Sequence, residues 1–347
     1  MASFARRKLL GRSRKAVFHC TARCVRRAWL CGKDPLTNED YTHRRRWINI
    51  REEQLAALFA IELEYTAEMR NHLHVVLRTR PEIAQKLSDR EVVRRWLTIT
   101  RLAKCMSDDL PVPQEARIEK MLEDKEHVRE LRQRLSSISW FMAILLENIA
   151  RRANHDDEVT GHFWEARFRC REVTDKAGIL LCGVYVDLNA IRAGEANSLE
   201  TSVYTSVFKR IMSEQLAEDD PTRPDGYLAA LTLKPERKAD WEWAYKSRTG
   251  RRASDLGVIP ISLANYVKLL EWTAQLLLSG QRTTIPKDLG AVLDHMNVDS
   301  EKWVDAVQDY EKFGHAVGSP AGLAEVAERM GRQHIKGAAA SRRLYNS

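Results

Sequence analysis

Hydrophobic and polar positions alternate in three stretches of the first quarter of the chain. Residues 16–25, Ala-Val-Phe-His-Cys-Thr-Ala-Arg-Cys-Val, predict a first strand. Ala60 to Met69 sets Ile61, Leu63 and Tyr65 against Glu62, Glu64 and Thr66, the period of a second. Asn71 to Thr79 is rich in β-branched and apolar residues and runs into Pro81, which predicts a third strand ending at a turn. Met69-Arg70-Asn71 is short enough to join the last two as a hairpin. Elsewhere the period is helical. Residues 43–58 place Trp47, Ile50, Leu55 and Leu58 on one side, and 90–104 do so with Val92, Trp96, Ile99 and Ala103 behind a Ser88 or Asp89 cap. Charged helix over 114–134 and a more apolar helix carrying Trp140, Phe141, Ile144, Leu145 and Ile149 make 105–158 a helical excursion. Thr174 to Ala193 is a further helix, capped by Thr174 and Asp175 and ended by Gly194. Its residues Ala177, Leu181, Val184, Leu188 and Ile191 form a buried stripe.

Asp219 to Gly226 reads as a linker, and helices are expected over 238–249, 263–279, 286–296, 300–314 and 320–331. No chemistry-bearing cluster is evident in this last part. The pattern predicts an α+β fold with a mainly antiparallel sheet flanked by helices. Two units are expected, 1–215 with the insertion at 105–158, and a helical accessory region at 216–347.

Composition narrows the class. A chain of 347 residues with 44% hydrophobic and 30% charged content has ample length for a core. It contains no apolar run long enough to span a membrane and no signal segment, so a cytoplasmic location is expected. Six cysteines without CxxC spacing predict reduced, partly buried thiols.

Charge changes the picture further. Residues 1–50 hold thirteen Lys or Arg against three Asp or Glu, whereas the whole chain carries only +8. The clusters at Arg6-Arg7-Lys8, Arg12-Ser13-Arg14-Lys15, Arg26-Arg27 and Arg44-Arg45-Arg46 suit a polyanion; a solvated basic tail has the same composition. The stretch His162-Phe163-Trp164-Glu165-Ala166-Arg167-Phe168-Arg169 alternates aromatic and basic residues, as base stacking with phosphate contact requires. A strand packing its aromatics inward would read the same way.

Candidate chemistry rests on two elements. In the third strand His72 and His74 share a face, their α-carbons roughly 6.5–7 Å apart, so both imidazoles can converge on one metal ion. Two surface histidines on a half-exposed strand are the alternative. His19, on the first strand, is read as an ordinary strand residue that could lie near such a site. In the helix Tyr185 and Asn189 are four apart and stack on one face, below Gly178 and Cys182, whose small side chains leave room above the tyrosine. Taken alone, that row is equally a boundary tyrosine with a local amide hydrogen bond.

Three stretches in this order carry a resemblance. They are Asn71-His72-Leu73-His74, then Phe163-Trp164-Glu165-Ala166-Arg167-Phe168, then Tyr185-Val186-Asp187-Leu188-Asn189-Ala190-Ile191-Arg192-Ala193-Gly194. Over about residues 10–210 the chain resembles the single-tyrosine HUH transposases, most closely the REP-associated tyrosine transposases of bacteria. The resemblance implies an HUH-type sheet in which His72 and His74 bind a divalent ion, Mg²⁺ or Mn²⁺. It implies Tyr185 as nucleophile and Asn189 as a third polar metal ligand. Members usually have Asn-Pro where this chain has Asn189-Ala190, a difference that removes a helix constraint but no ligand.

The implied activity is metal-dependent transposition. Single-stranded DNA flanked by hairpins is nicked and rejoined through a 5′-phosphotyrosine, by a monomer or homodimer near the bacterial nucleoid. Arg12, Arg14, Lys15, Arg167 and Arg169 are candidate phosphate contacts. A silent hairpin-DNA-binding relative and a metal-dependent nuclease using water are the alternatives.

Overall fold

The computed structural model describes residues 9–10, 14–25, 29–233, 247, 249–280 and 284–345. The expected α+β architecture is present, built on a five-stranded sheet. Strand β1 is Val17–Arg23, β2 Ile61–Glu68, β3 His72–Thr79, β4 Arg169–Val173 and β5 Ala316–Val317, in the spatial order β2-β3-β1-β4-β5. The first four pair antiparallel, while β5 adds to β4 in parallel, so the sheet is mixed. The hairpin forms where expected, closed by Met69 N–H donating to the His72 carbonyl at 2.9 Å. Residues 162–168 are not a strand; their backbone forms an isolated bridge, Cys24 to Trp164, just beyond β1.

Alternation in β2 does not produce a wet face. All eight of its residues are buried, and the register slips between Leu63 and Tyr65. Its carboxylates are instead paired internally. Glu64 meets Arg78 at 2.6 Å, Glu68 meets Lys209 at 3.2 Å, and Glu62 pairs with Arg80 and accepts from Ser254. Burying such charges is costly unless each finds a partner, and segments from beyond residue 200 supply several. Tyr227–Leu231 runs beside β2, with Ala229 N–H donating to the Leu63 carbonyl at 2.7 Å.

One sheet face, that of Thr66, is covered by helix α1 (His43–Leu58), and the Thr66 hydroxyl donates to Glu52 at 2.8 Å. Three helices, α2 (Pro81–Lys86), α3 (Asp89–Leu102) and α4 (Glu115–Leu122), then lead to α5 (Lys125–Arg134) and α6 (Ile138–Asp156), the insertion. Arg44 clamps the end of α6 through Asp156 at 2.8 Å and through Asp157. The cluster Arg44-Arg45-Arg46 is therefore drawn into ion pairs, Arg45 with Glu195 at 3.5 Å and Arg46 with Asp108 at 3.6 Å.

The opposite face takes α7 (Lys176–Asp187), capped by Asp175 accepting from Gly178 N–H, and the short α8 (Asn189–Arg192), separated from it at Leu188. No side of α7 is left to solvent: every residue from Ala177 to Asp187 is buried. Its approach to the sheet is set by Gly183. A β-carbon there would lie 2.5 Å from the Tyr65 ring.

Helices α9 (Ser206–Ser213), α10 (Leu263–Ser279), α11 (Lys287–His295), α12 (Trp303–Gln308), α13 (Pro320–Arg329) and α14 (Ala338–Leu344) follow among the described residues. The helix expected over 300–314 is divided into two 3₁₀ turns around α12, Ser300–Lys302 and Asp309–Lys312. The one expected over 238–249 falls almost entirely outside the described residues. Region 216–347 is thus not wholly helical; it contributes β5. Among the described residues no helix is long and apolar enough to cross a membrane.

Replacing Gly183 by valine should cost about 1–3 kcal/mol, since neither the sheet nor the tyrosine ring can yield without unpacking. Urea denaturation checks this, and an unchanged midpoint would mean that α7 is not seated on Tyr65.

Candidate functional site

Strand alternation and register place His19, His72, His74 and Arg171 on the face that receives α7. The His72 and His74 rings lie 4.8 Å apart, and those of His19 and His74 stack at 5.1 Å. The helix break at Leu188 brings Asn189 down onto the strand, its amide nitrogen 2.6 Å from His74 Nε2. One turn earlier, the Tyr185 ring lies 5.9 Å from that of His74 and 6.1 Å from that of His19. His72, His74, Tyr185 and Asn189 therefore meet at one place, from two elements more than a hundred residues apart in sequence.

A chain of hydrogen bonds fixes the protonation of the histidines. The Tyr310 hydroxyl donates to Cys182 Sγ at 3.0 Å, so its oxygen is left to accept from His19 Nδ1 at 2.9 Å. His19 Nε2 is then the bare nitrogen and accepts from His74 Nδ1 at 2.8 Å. His74 Nε2 in turn carries a lone pair, directed at Asn189. His72 donates from Nδ1 to the Asn71 side-chain oxygen at 2.8 Å, which bares its Nε2 as well. Burial disfavours the charged rings. It lowers His19 to about 3 with Arg171 adding to the effect, His72 to about 4 with help from Arg23, and His74 well below the usual range with help from His19.

Two neutral imidazoles with bare Nε2 atoms beside a carboxamide form a donor set that fits a divalent ion, with His19 orienting His74 from behind. The direct His74–Asn189 hydrogen bond must open for both to ligate one ion. Among the described residues no three or more His, Cys, Asp or Glu side chains are grouped to hold a metal. Asn189 is the polar side chain that stands against His74 at this place.

The space that Gly178 and Cys182 leave above Tyr185 is not open, contrary to expectation. Tyr310 fills it, its ring stacked on that of Tyr185 at 4.1 Å, and the Val317–Gly318 backbone lies against Gly178. The Tyr185 hydroxyl donates to Glu311 at 2.6 Å, and Arg171 holds the same carboxylate at 2.7 Å. Arg192 covers the Tyr185 ring at 4.6 Å. Burial, reinforced by Glu311, pushes the phenol up to about 12. Burial also acts to raise Glu311, but hydrogen bonds from Arg171 and Tyr185 outweigh it and hold that carboxyl down at about 2.

Glu311 and Tyr310 were not legible in sequence. They lie some 125 residues beyond Tyr185, in a helical region without a motif, and pack against its side chain. Arg171, two residues after Arg169 on a strand, shared the alternation that pointed to Arg169 but was not singled out.

The remaining candidates scatter. Arg167 and Arg169 are exposed at the entry to β4, and Arg169 lies in register with Thr21, which faces His74 across β1 and β3. Lys15 is exposed, Arg14 forms a two-pronged pair with Glu172 at 2.8 Å, and Arg12 lies outside the described residues. Phe163 and Phe168 are buried, and the Trp164 indole donates to the Leu146 carbonyl at 2.9 Å, so these aromatics pack inward.

No protein-family model, curated protein or solved structure matches the chain.

The hydrogen-bond chain makes a spectroscopic prediction. Nitrogen-15 spectra of the histidine rings should show His19 and His74 neutral from pH 8 down to about 5, with His19 protonated on Nδ1. A His74 ring charged near pH 6.5 would contradict it.

Proposed function

We propose that the protein is a metal-dependent DNA strand-transfer enzyme of the transposase type, with Tyr185 as nucleophile and His72, His74 and Asn189 as metal ligands. The observation that carries the reading is the meeting of the Tyr185 helix with two bare imidazole nitrogens and an amide on one sheet face.

A phenol is a poor nucleophile at neutral pH, and burial makes this one poorer. Catalysis then depends on placement. Stacking on Tyr310 and the contact with Arg192 hold the Tyr185 ring so that its oxygen has one defined direction. A divalent ion, when bound, supplies charge to offset that developing on the phosphate oxygens. His19 keeps the His74 lone pair aimed, and the helix break at Leu188 presents Asn189 beside it. Attack by the Tyr185 oxygen on phosphorus, with departure of the 3′-oxygen, leaves a 5′-phosphotyrosine and a free 3′-OH. Because the ester is exchanged and not hydrolysed, a later 3′-OH can reverse the step. Arg169 and Arg167, exposed at the same edge, suit the flanking phosphates, and the substrate class is single-stranded or hairpin DNA.

Purified protein incubated with labelled hairpin oligonucleotides and Mn²⁺ or Mg²⁺ should yield a labelled band at protein mass on a denaturing gel. Chelation and Tyr185→Phe should each abolish the band, and His74→Ala should reduce it about 10²-fold or more. Cleavage without an adduct would replace the reading with a water-using nuclease, and binding alone with a silent DNA-binding relative.

A further inference from the structure

We infer that Glu311 is the general base for Tyr185, a catalytic carboxylate contributed by the C-terminal region; the inference rests on the strand-transfer reading.

The proton on the Tyr185 oxygen has to leave as that oxygen attacks, and among the described residues Glu311 is the acceptor that the hydroxyl already faces. Two histidines are engaged elsewhere, His19 Nε2 accepting from His74 and His74 Nε2 facing Asn189, and the bare Nε2 of His72 belongs to the proposed ligand set. Arg192 and Arg171, the cations beside the ring and the carboxylate, cannot take a proton. The Glu311 carboxylate already accepts the Tyr185 hydroxyl at 2.6 Å, the distance for direct transfer.

Its seat is built for the purpose. Glu311 sits on the 3₁₀ turn Asp309–Lys312, next to Tyr310, whose stacking on Tyr185 sets the spacing of the two elements. Arg171, from β4, fixes the carboxylate with its two terminal nitrogens at 2.7 and 3.4 Å. Ion pairing with Arg171 keeps the acceptor ionised but weakly basic, so the proton crosses only as the bond to phosphorus forms and the phenol becomes more acidic. A carboxylate held this way gives a proton back readily, as a reaction that must reverse requires. The Glu311 side chain is 55% exposed.

The step balances without a co-reactant. The bond from the Tyr185 oxygen to phosphorus forms, and the bond from phosphorus to the 3′-oxygen breaks. The phenolic proton passes to Glu311, and the departing oxygen takes a proton from water. On rejoining, the 3′-OH gives its proton to water as it attacks phosphorus, and the departing Tyr185 oxygen takes a proton from solvent through Glu311.

The test compares wild type, Tyr185→Phe, Glu311→Gln and Glu311→Ala in single-turnover adduct formation on the same labelled hairpin oligonucleotide with Mn²⁺. Glu311→Gln, isosteric and half-exposed, should form adduct about 10²–10⁴-fold more slowly with oligonucleotide affinity unchanged. Its rate should rise about tenfold per pH unit between pH 7 and 9, following the ionised phenol, while the wild-type rate stays flat. Added formate should restore part of the rate to Glu311→Ala, which recovery of a lost fold could not mimic. A Glu311→Gln rate equal to wild type, or no rescue by formate, overturns the assignment while leaving the strand-transfer reading intact. Wild type that forms no adduct overturns both.

Discussion

A helix that is buried on every side has to be covered on every side, and this constraint on α7 organises the molecule. Gly183 lets it rest directly on Tyr65 of the sheet. Asp187, at its end and fully buried, accepts from the Ser206 hydroxyl at 2.6 Å, the Val207 amide at 2.9 Å and the Tyr266 hydroxyl at 2.8 Å, and so ties in α9 and α10. Tyr310 and the β5 segment close the remaining side. The C-terminal region is therefore part of the wall around Tyr185. Without it, an apolar helix face would be uncovered, at several kcal/mol by ordinary burial energies, and Asp187 would lose the Tyr266 hydroxyl while keeping Ser206 and Val207.

The same enclosure gives the candidate site its electrostatic character. In a low-dielectric setting a polar group has to be satisfied by a neighbour, and one donor's commitment fixes the next. Cys182, Tyr310, His19, His74 and Asn189 form such a sequence, running from the middle of α7 through the C-terminal region and two strands and back to the start of α8. Burial and the chain favour the same state, neutral imidazoles with a lone pair on Nε2. Glu311 is the opposite case. Partly exposed and paired with Arg171, it stays charged beside a phenol that burial keeps protonated. Neutral donors and a fixed anion thus flank Tyr185 without either being an accident of surface charge.

Much of this was legible because it is local. His72 and His74 share a face by the two-residue repeat of a strand, and Tyr185 and Asn189 share one by the turn of a helix; no partner is needed to read either. The hairpin, the α7 cap and the 263–279 helix follow from equally short-range signals. Reading failed where a residue's fate depends on what arrives from elsewhere. Glu62, Glu64 and Glu68 look like the wet side of β2, yet cations from β3, the chain beyond it and α9 draw them inside. Gly178 and Cys182 look like open space until Tyr310 and the Val317–Gly318 backbone occupy it. Arg14 looks like a phosphate contact and is held by Glu172.

By itself the sequence determined the periodic elements, the clustering of positive charge towards the N-terminus, and the side-chain pairs that lie within one strand or one turn of helix. Backbone geometry repeats over two or about four residues, so such pairs are settled before folding is complete. Tertiary structure alone decided which strand face meets α7, which carboxylates are buried, and that Glu311 reaches Tyr185 across some 125 residues. Those outcomes follow from close packing and from the need of each buried polar group for a partner, conditions that have no sequence period and are met only once the distant segments are in place.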